Sequence, residues 1–285
     1  MNSPILIIDC HAIAHSLKYG LIHLTHDEQS VGIILGFLRQ TRAFAKKFQT
    51  NKIVFTWDSK RRARSKLYPG YKLKRTTDLT DEMKEMNRAM HPQINDLRTF
   101  IIPKLGFKNS FIQTGLEADD LIAVISKIPT EENKIIISGD HDLYQLLSDS
   151  VSMFKLKGGM YKKKDFIKEW HIDPSLWGDA KMIAGCTTDT VKGVKGVAEK
   201  TAIKYLKGEL KDTLKTYQDI EKCKDIIKRN AALVKLPFPT TKEVELDWDE
   251  TFKIVDYLAV TKKYGLYSME KEATLESWIN IFGMK

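Results

Sequence analysis

Three runs in the first half of the chain are almost continuously apolar: "PILIID" (4–9), "KIVFTWD" (52–58) and "KIIISGD" (134–140). Each closes on an aspartate. A strand with one wet face alternates between apolar and polar residues. A short run without alternation predicts a strand buried on both faces, as in a parallel sheet. Between these runs the apolar positions take helical spacing. Val31, Ile34, Leu35, Leu38 and Phe44 predict a helix over roughly 30–49, and similar patterns predict helices over 81–102 and 117–128. Thr80 stands where an N-cap is needed before the second of these. Strands alternating with helices predict an α/β fold: a mostly parallel central sheet with helices on both faces. Ligands of such sheets bind beyond the carboxyl ends of the strands, where Asp9, Asp58 and Asp140 would lie.

After about residue 175 the pattern changes to short helices and basic loops, and "LPFPTTKEVELDWDE" (236–250) reads as a proline-bearing connection before the last helices. The expected organisation is a core over 1–175 and a helical lobe over 176–285 that packs onto the sheet. No internal repeat or low-complexity tract appears.

Composition narrows the class. Of 285 residues, 42% are hydrophobic, enough to bury a core, which excludes disorder. No apolar run approaches the ~20 residues of a membrane span. The N-terminus lacks a basic segment and runs straight into Asp9, so it reads as a strand and not a signal peptide. Cys10, Cys186 and Cys223 are odd in number, far apart and form no CxxC pair. That argues against a disulfide framework and against a cysteine zinc site, and favours a reducing cytoplasm. The net charge of +9 and a pI near 9.2 suggest a polyanionic partner.

The acids are more specific. "GLEADDLIAVISKI" (115–128) carries Glu117, Asp119 and Asp120 at a helix start, and "SGDHDLYQLL" (138–147) carries Asp140 and Asp142 after a strand. Acids at helix starts often do no more than cap. Converging with Asp9, Asp58 and Asp189, however, they would make up to eight carboxylates at one sheet edge. Such a cluster calls for divalent metal, and oxygen donors select Mg²⁺ or Mn²⁺. Two such ions suit in-line attack of water on a phosphodiester. The seven histidines form no HExxH motif, and His141 reads as a solvated turn residue. No GxSxG or Walker A pattern is present.

"DSKRRARSKLYPGYKLKR" (58–75) is dense in Lys and Arg, with Tyr68 and Tyr71 interleaved. A solvated charge run is the plain alternative. Because the run starts at a candidate metal aspartate, its cations are expected to grip phosphates at the mouth of the site, with a tyrosine stacking on a base. The amphipathic segment that follows is expected to cover the site as an arch.

Taken in order, these motifs resemble the 5′-nuclease family: flap endonucleases, phage 5′–3′ exonucleases with RNase H activity, and the 5′-nuclease domain of bacterial DNA polymerase I. "LIIDCHAIAH", "FTWDSKRRARSKLYPGYKLKR", "GLEADDLIAV", "SGDHDLYQLL" and "GCTTDTVKGVKGVAEKTA" carry the resemblance, over roughly residues 4 to 206. It implies a PIN-like nuclease core with a helical arch near 64–100, and a helix–hairpin–helix element in a DNA-binding lobe over 176–285. It implies that Asp9, Asp58, Glu117 and Asp119 hold one Mg²⁺ or Mn²⁺, and that Asp140, Asp142 and Asp189, with Asp120 nearby, hold the second. Lys72 would approach the scissile phosphate with help from Arg64 and Arg75, and Tyr71 would stack on the terminal base. Lys74, Arg75, Gly193, Lys195, Gly196 and Lys200 would contact DNA, with K⁺ at the hairpin turn 193–198. Cys186 stands where the pattern usually has Asp, and a thiol is a poor Mg²⁺ ligand. Thr190 replaces Asn, and Ala198 replaces Gly in the hairpin. The implied function is removal of 5′ flaps or RNA primers by a monomer in replication, in a phage-like context. Its partners would be branched or nicked duplex DNA, RNA–DNA hybrids and a replication protein. The alternative is a branched-DNA-binding protein of this fold that cuts poorly.

Overall fold

The computed structural model describes residues 3–59 and 63–284, so Lys60, Arg61 and Arg62 of the basic run lie outside it. Among the described residues six strands form the main sheet: β1 (Ile5–Asp9), β2 (Ile53–Thr56), β3 (Ser110–Phe111), β4 (Lys134–Ile137), β5 (Val151–Lys155) and β6 (Gly159–Tyr161). Their order is β3-β2-β1-β4-β5-β6. All neighbours are parallel except β6, which runs back against β5. The three apolar runs form β1, β2 and β4. Ile5, Leu6, Ile7 and Ile8 are wholly buried, as a strand covered on both faces requires.

The strand order reverses at β1, with β2 on one side and β4 on the other. Register pairs Asp9 with Thr56 and Ile8 with Ile137, so the carboxyl ends of these three strands lie level. Such a reversal opens a crevice beyond those ends, because the following helices leave toward opposite faces. Leu6, Ile8, Phe55 and Ile137 point into a core with α1 (Cys10–Leu21), α2 (Gly32–Phe48) and α3 (Asp81–Asp96). Ile5, Ile7, Val54 and Ile136 point into a second core with α4 (Ala118–Lys127), α5 (Trp177–Ala184) and α6 (Glu199–Leu206). Burying each such Ile or Leu contributes roughly 1.5–3 kcal/mol.

The region 176–285 contributes to more than one apolar cluster. Its final helices, Ile254–Lys263 and Glu272–Phe282, place Tyr257, Val260, Trp278 and Phe282 in the first core, beside α1 and α2. Helix α7 (Lys224–Val234) instead packs Leu233 and Val234 with Tyr71, Cys186 and Val191 near the crevice. The expected arch also divides. Thr80 caps α3 by accepting from the Met83 N–H, and Met90 and Ile94 anchor the helix in the first core. The Gln93 side-chain oxygen accepts from Ile33 and Ile34 N–H at the start of α2. In the segment preceding α3, Arg64, Tyr71 and Lys72 are buried, while Leu67 and Leu73 are exposed. No helix among the described residues is long and apolar enough to cross a membrane.

Glycine matters most where α5 ends. Gly185 has φ +80° and ψ −174°, a region nearly closed to other residues. It opens a short antiparallel pair, Gly185–Cys186 with Val191–Lys192. A Cβ on Gly185 would lie 2.4 Å from Gly193 N and Val191 O, and one on Gly193 would lie 2.2 Å from Ala184 C. Gly193 therefore lacks a side chain so that two backbones can cross. Gly196 is different: its φ is +78° and it faces open space.

Gly185→Ala should destabilise the protein by about 1–3 kcal/mol, from the strained backbone plus the clash. Thermal unfolding checks this, and an unchanged Tm would mean that the crossing is loose.

Candidate metal centre at the carboxyl edge of the sheet

Asp9 ends β1 and caps α1. Its Oδ1 accepts from the Ala12 N–H at 2.9 Å, and its Oδ2 accepts from the Ser138 hydroxyl at 2.8 Å. Asp58, just past β2, accepts from the Ala118 N–H at the start of α4 at 2.8 Å. Its own N–H donates to His11 Nδ1 at 3.1 Å. Asp140 follows β4 and accepts from the Asp142 N–H at 2.8 Å. Asp119 lies in the first turn of α4. Capping is thus real for several of these acids, but it does not account for their grouping. Burial pushes the Asp9 carboxyl up to about 7, helped by the charges of Asp58 and Asp140. Burial and then the charges of Asp140 and Asp9 push Asp119 well above the carboxylate range. Asp9, Asp58, Asp119 and Asp140 therefore sense one another at one edge.

A second group adjoins the first. Ligand atoms of Asp142, Cys186 and Asp189 all lie within 4.8 Å of one another. Burial, then the charge of Asp140, raises Asp142 to about 6. Cys186 Sγ is 3.6 Å from Asp142 Oδ2 and 3.1 Å from Thr188 Oγ1. Lys181, from α5, puts its ammonium 3.2 Å from Asp142 Oδ1.

Cations and a phenol link these acids to the basic run. Lys72, at φ +54°, is buried and donates to Glu117 Oε1 at 2.8 Å, with Asp189 Oδ2 at 3.5 Å. Arg75 donates to Asp189 Oδ1 at 2.7 Å. The Tyr71 hydroxyl donates to Glu117 Oε2 at 2.6 Å, with Asp189 Oδ2 at 3.1 Å. Tyr71 is only 5% exposed, with its ring packed among Cys186, Val191, Leu233 and Val234.

Two more of the expected site residues pair with each other. Arg64 is buried and grips Asp120 with both terminal nitrogens at 2.7 Å, while its Nε donates to the Leu233 carbonyl at 3.0 Å. Asp120 is fully buried and also accepts from the Glu117 and Phe238 N–H groups. A bidentate guanidinium and two amides occupy its lone pairs, which gives Asp120 an orienting place beside the acids. The pair fastens the start of α4 to the chain after α7.

Lys74, Lys195, Gly196 and Lys200 lie on the exposed surface, where contact with a polyanion is sterically open. His141 is exposed and stacks on Tyr144 at 4.7 Å. Sequence reasoning missed His11, Ser138 and Lys181. His11, two residues past Asp9 in the first turn of α1, had a usable signal in its spacing. Lys181 had none, because only the crossing of α5 over the edge brings it to Asp142.

The acids offer hard oxygen donors, and among the described residues Asp142, Cys186 and Asp189 are the group whose ligand atoms lie within 4.8 Å of one another. Buried carboxylates that raise one another's affinity for protons bind a bound cation tightly for the same reason. Asp9, Asp58, Asp119 and Asp140 are all-oxygen; Asp142 and Asp189 share their position with a thiol.

Residues 4–171 match the family described as 5′-3′ exonuclease, N-terminal resolvase-like domain. The 5′-3′ exonuclease of Buchnera aphidicola subsp. Acyrthosiphon pisum is 29% identical over 279 residues, which cover 92% of this chain and 93% of that one. The thermostable DNA polymerase I of Thermus thermophilus is 29% identical over 223 residues, 76% of this chain but 26% of the polymerase. This chain thus spans about a quarter of that relative. Among solved structures, the bacteriophage T5 flap endonuclease in complex with DNA and metal ions superposes with a TM-score of 0.70 at 20% identity, over 99% of this chain and 100% of that one. At that identity the likeness shows the fold.

A carboxyl whose folded pKa is raised binds its proton more tightly folded than unfolded. Between the unfolded value near ~3.9 and the folded value of about 7 for Asp9, the folded state holds more protons, so stability falls as pH rises through that window. In EDTA, the wild-type Tm should therefore fall relative to Asp9→Asn from about pH 4 to about pH 7. Divalent ions should restore the wild type most at the upper end. Parallel Tm curves for the two proteins would show that Asp9 is not held under repulsion.

Proposed function

We infer the reaction of this chain from one premise, that it belongs to the 5′-3′ exonuclease family, and from the acidic edge of its sheet. The chain is a nuclease of that family. Its proposed reaction is structure-specific hydrolysis of phosphodiesters near 5′ ends, removing 5′ flaps or RNA primers from branched or nicked duplex DNA and RNA–DNA hybrids. The single observation that carries this is the placing of Asp9, Asp58 and Asp140 at the level carboxyl ends of β1, β2 and β4, beside Asp119 in the first turn of α4.

In this assignment Asp9, Asp58, Asp119 and Asp140 hold one Mg²⁺ or Mn²⁺, and Asp142 and Asp189 hold a second; Glu117, expected in the first set, is engaged by Tyr71 and Lys72, and Asp140, expected in the second, is grouped with Asp9 and Asp119. Bound there, such ions lower the pKa of water and stabilise the attacking and leaving oxygens of an in-line displacement. The protein's own groups do the rest. Ser138 and the helix N-termini orient the carboxylates. Lys72 and Arg75 keep Glu117 and Asp189 in place and bring positive charge to the mouth of the crevice, where a phosphate would be drawn in. Lys195, Gly196 and Lys200 suit the duplex backbone, with K⁺ at the same turn, since exposed backbone amides and cations there meet phosphates without a side chain between. Lys74 adds a further phosphate contact.

One observation favours the second reading, a branched-DNA binder that cuts slowly. Lys181 already pairs with Asp142, and Cys186 replaces a carboxylate in the second group. Cleavage of an end-labelled flap substrate in Mg²⁺ and then in Mn²⁺ separates the two.

Asp140→Asn and Asp119→Asn should each nearly abolish flap cleavage in single-turnover assays while leaving DNA affinity equal or tighter, because each removes a negative charge that both holds metal and repels phosphate. Wild-type turnover in either variant at saturating Mg²⁺ would sink the metal assignment.

Lys72→Ala should lower the single-turnover rate by more than it weakens binding, because charge at the phosphate grows in the transition state. Comparing the rate constant with the Kd for the same flap checks this. Equal losses would make Lys72 a binding contact alone.

A further inference from the structure

Three elements meet at Cys186. The turn after β4 supplies Asp142, and the strand pair that follows α5 supplies Cys186, held in register with Val191. The hairpin between supplies Asp189. The ligand atoms lie within 4.8 Å of one another, and the cysteine is 3% exposed. We propose that Cys186 is a sulfur ligand that gives this second position a preference for borderline ions such as Zn²⁺ or Co²⁺ over Mg²⁺. The proposal rests on the nuclease assignment above for the existence of a second ion.

Charge makes the argument. With the thiol neutral, Asp142 and Asp189 carry two negative charges. Facing them are Lys181 at 3.2 Å from Asp142, and Lys72 at 3.5 Å and Arg75 at 2.7 Å from Asp189. Lys181 and Lys72 are themselves buried. An ion held only by carboxylates competes with these cations for every oxygen, so Mg²⁺ gains little here. An ion that bonds sulfur has a further source of affinity. It displaces the thiol proton to solvent, forming the metal–sulfur bond and adding a third negative ligand. Sulfur donors favour Zn²⁺ and Co²⁺ over Mg²⁺, whereas the all-oxygen group at Asp9, Asp58, Asp119 and Asp140 does not discriminate in this way. The two positions of one site would thus differ in chemistry. Thr188 Oγ1, 3.1 Å from Sγ, is placed to hold the sulfur's orientation.

The test is a Co²⁺ titration of the metal-stripped protein, followed by its near-ultraviolet thiolate-to-cobalt charge-transfer band, with bound ions counted by calorimetry. Wild type and Cys223→Ser should show the band. Cys186→Ser should lose it and bind Zn²⁺ at this position at least ~10-fold more weakly. Cys186→Asp should lose the band but lower the Mg²⁺ needed for half-maximal flap cleavage. Circular dichroism of each variant shows whether it is folded, and the wild-type band stands as evidence without any variant. Co²⁺ bound to wild type without a charge-transfer band would overturn the proposal, as would a band that follows Cys223. Flap cleavage in Mg²⁺ or Mn²⁺ is measured alongside. A band with no cleavage in any ion supports the sulfur ligand and sinks the nuclease assignment, whereas cleavage without a band does the reverse.

Discussion

Carboxylates withdrawn from water beside one another repel, and most of the architecture around this crevice manages that repulsion. Asp9, Asp119 and Asp142 are all driven toward the protonated state by burial and by their neighbours' charge. A sheet edge can tolerate this only if positive charge is built in. Helix N-termini supply part of it, through the N–H groups that meet Asp9 and Asp58. Lys72, Arg75 and Lys181 supply more. The remaining repulsion stays in the folded state, which links charge at this edge to folding stability.

The supports are not interchangeable. The Arg64–Asp120 pair is fully buried, bidentate and completed by two backbone amides, so it is a fixed strut. Breaking one partner of such a pair leaves an uncompensated buried charge. By contrast Arg75 is half exposed and its pairing with Asp189 is open to solvent. A group of that kind can leave its acid for a phosphate at small cost, which the buried Arg64 cannot do. Lys72 lies between these cases. The geometry thus divides one basic run into a structural half and a half that can respond to a polyanion.

The close of the second metal group depends on backbone crossing. Gly185 and Gly193 approach so closely that neither tolerates a Cβ, and this crossing delivers both Cys186 and Asp189 to Asp142. The base of the hairpin is a packing device, while Lys192, Lys195, Gly196 and Ala198 are exposed.

Periodicity and residue type by themselves determined the three central strands of the six-stranded sheet, the helices between them and the acids at their ends. These are local properties: an unbroken Ile-rich run has no wet face to offer, and an aspartate closing it must fall at the strand's carboxyl end. Membership of a nuclease family was legible for the same reason, because its motifs are contiguous. The roles within the basic run were not legible. Arg64, Tyr71 and Arg75 are alike in sequence as polar residues after a strand, yet one is a strut, one is buried against Glu117 and one is exposed. The difference comes from α4, α7 and the hairpin arriving from distant parts of the chain. Lys181 and His11 joined the acids in the same way, and the final helices joined the first core because Trp278 and Phe282 found apolar surface there. Burial and partner choice depend on what packs opposite a residue, and only the tertiary structure decides that.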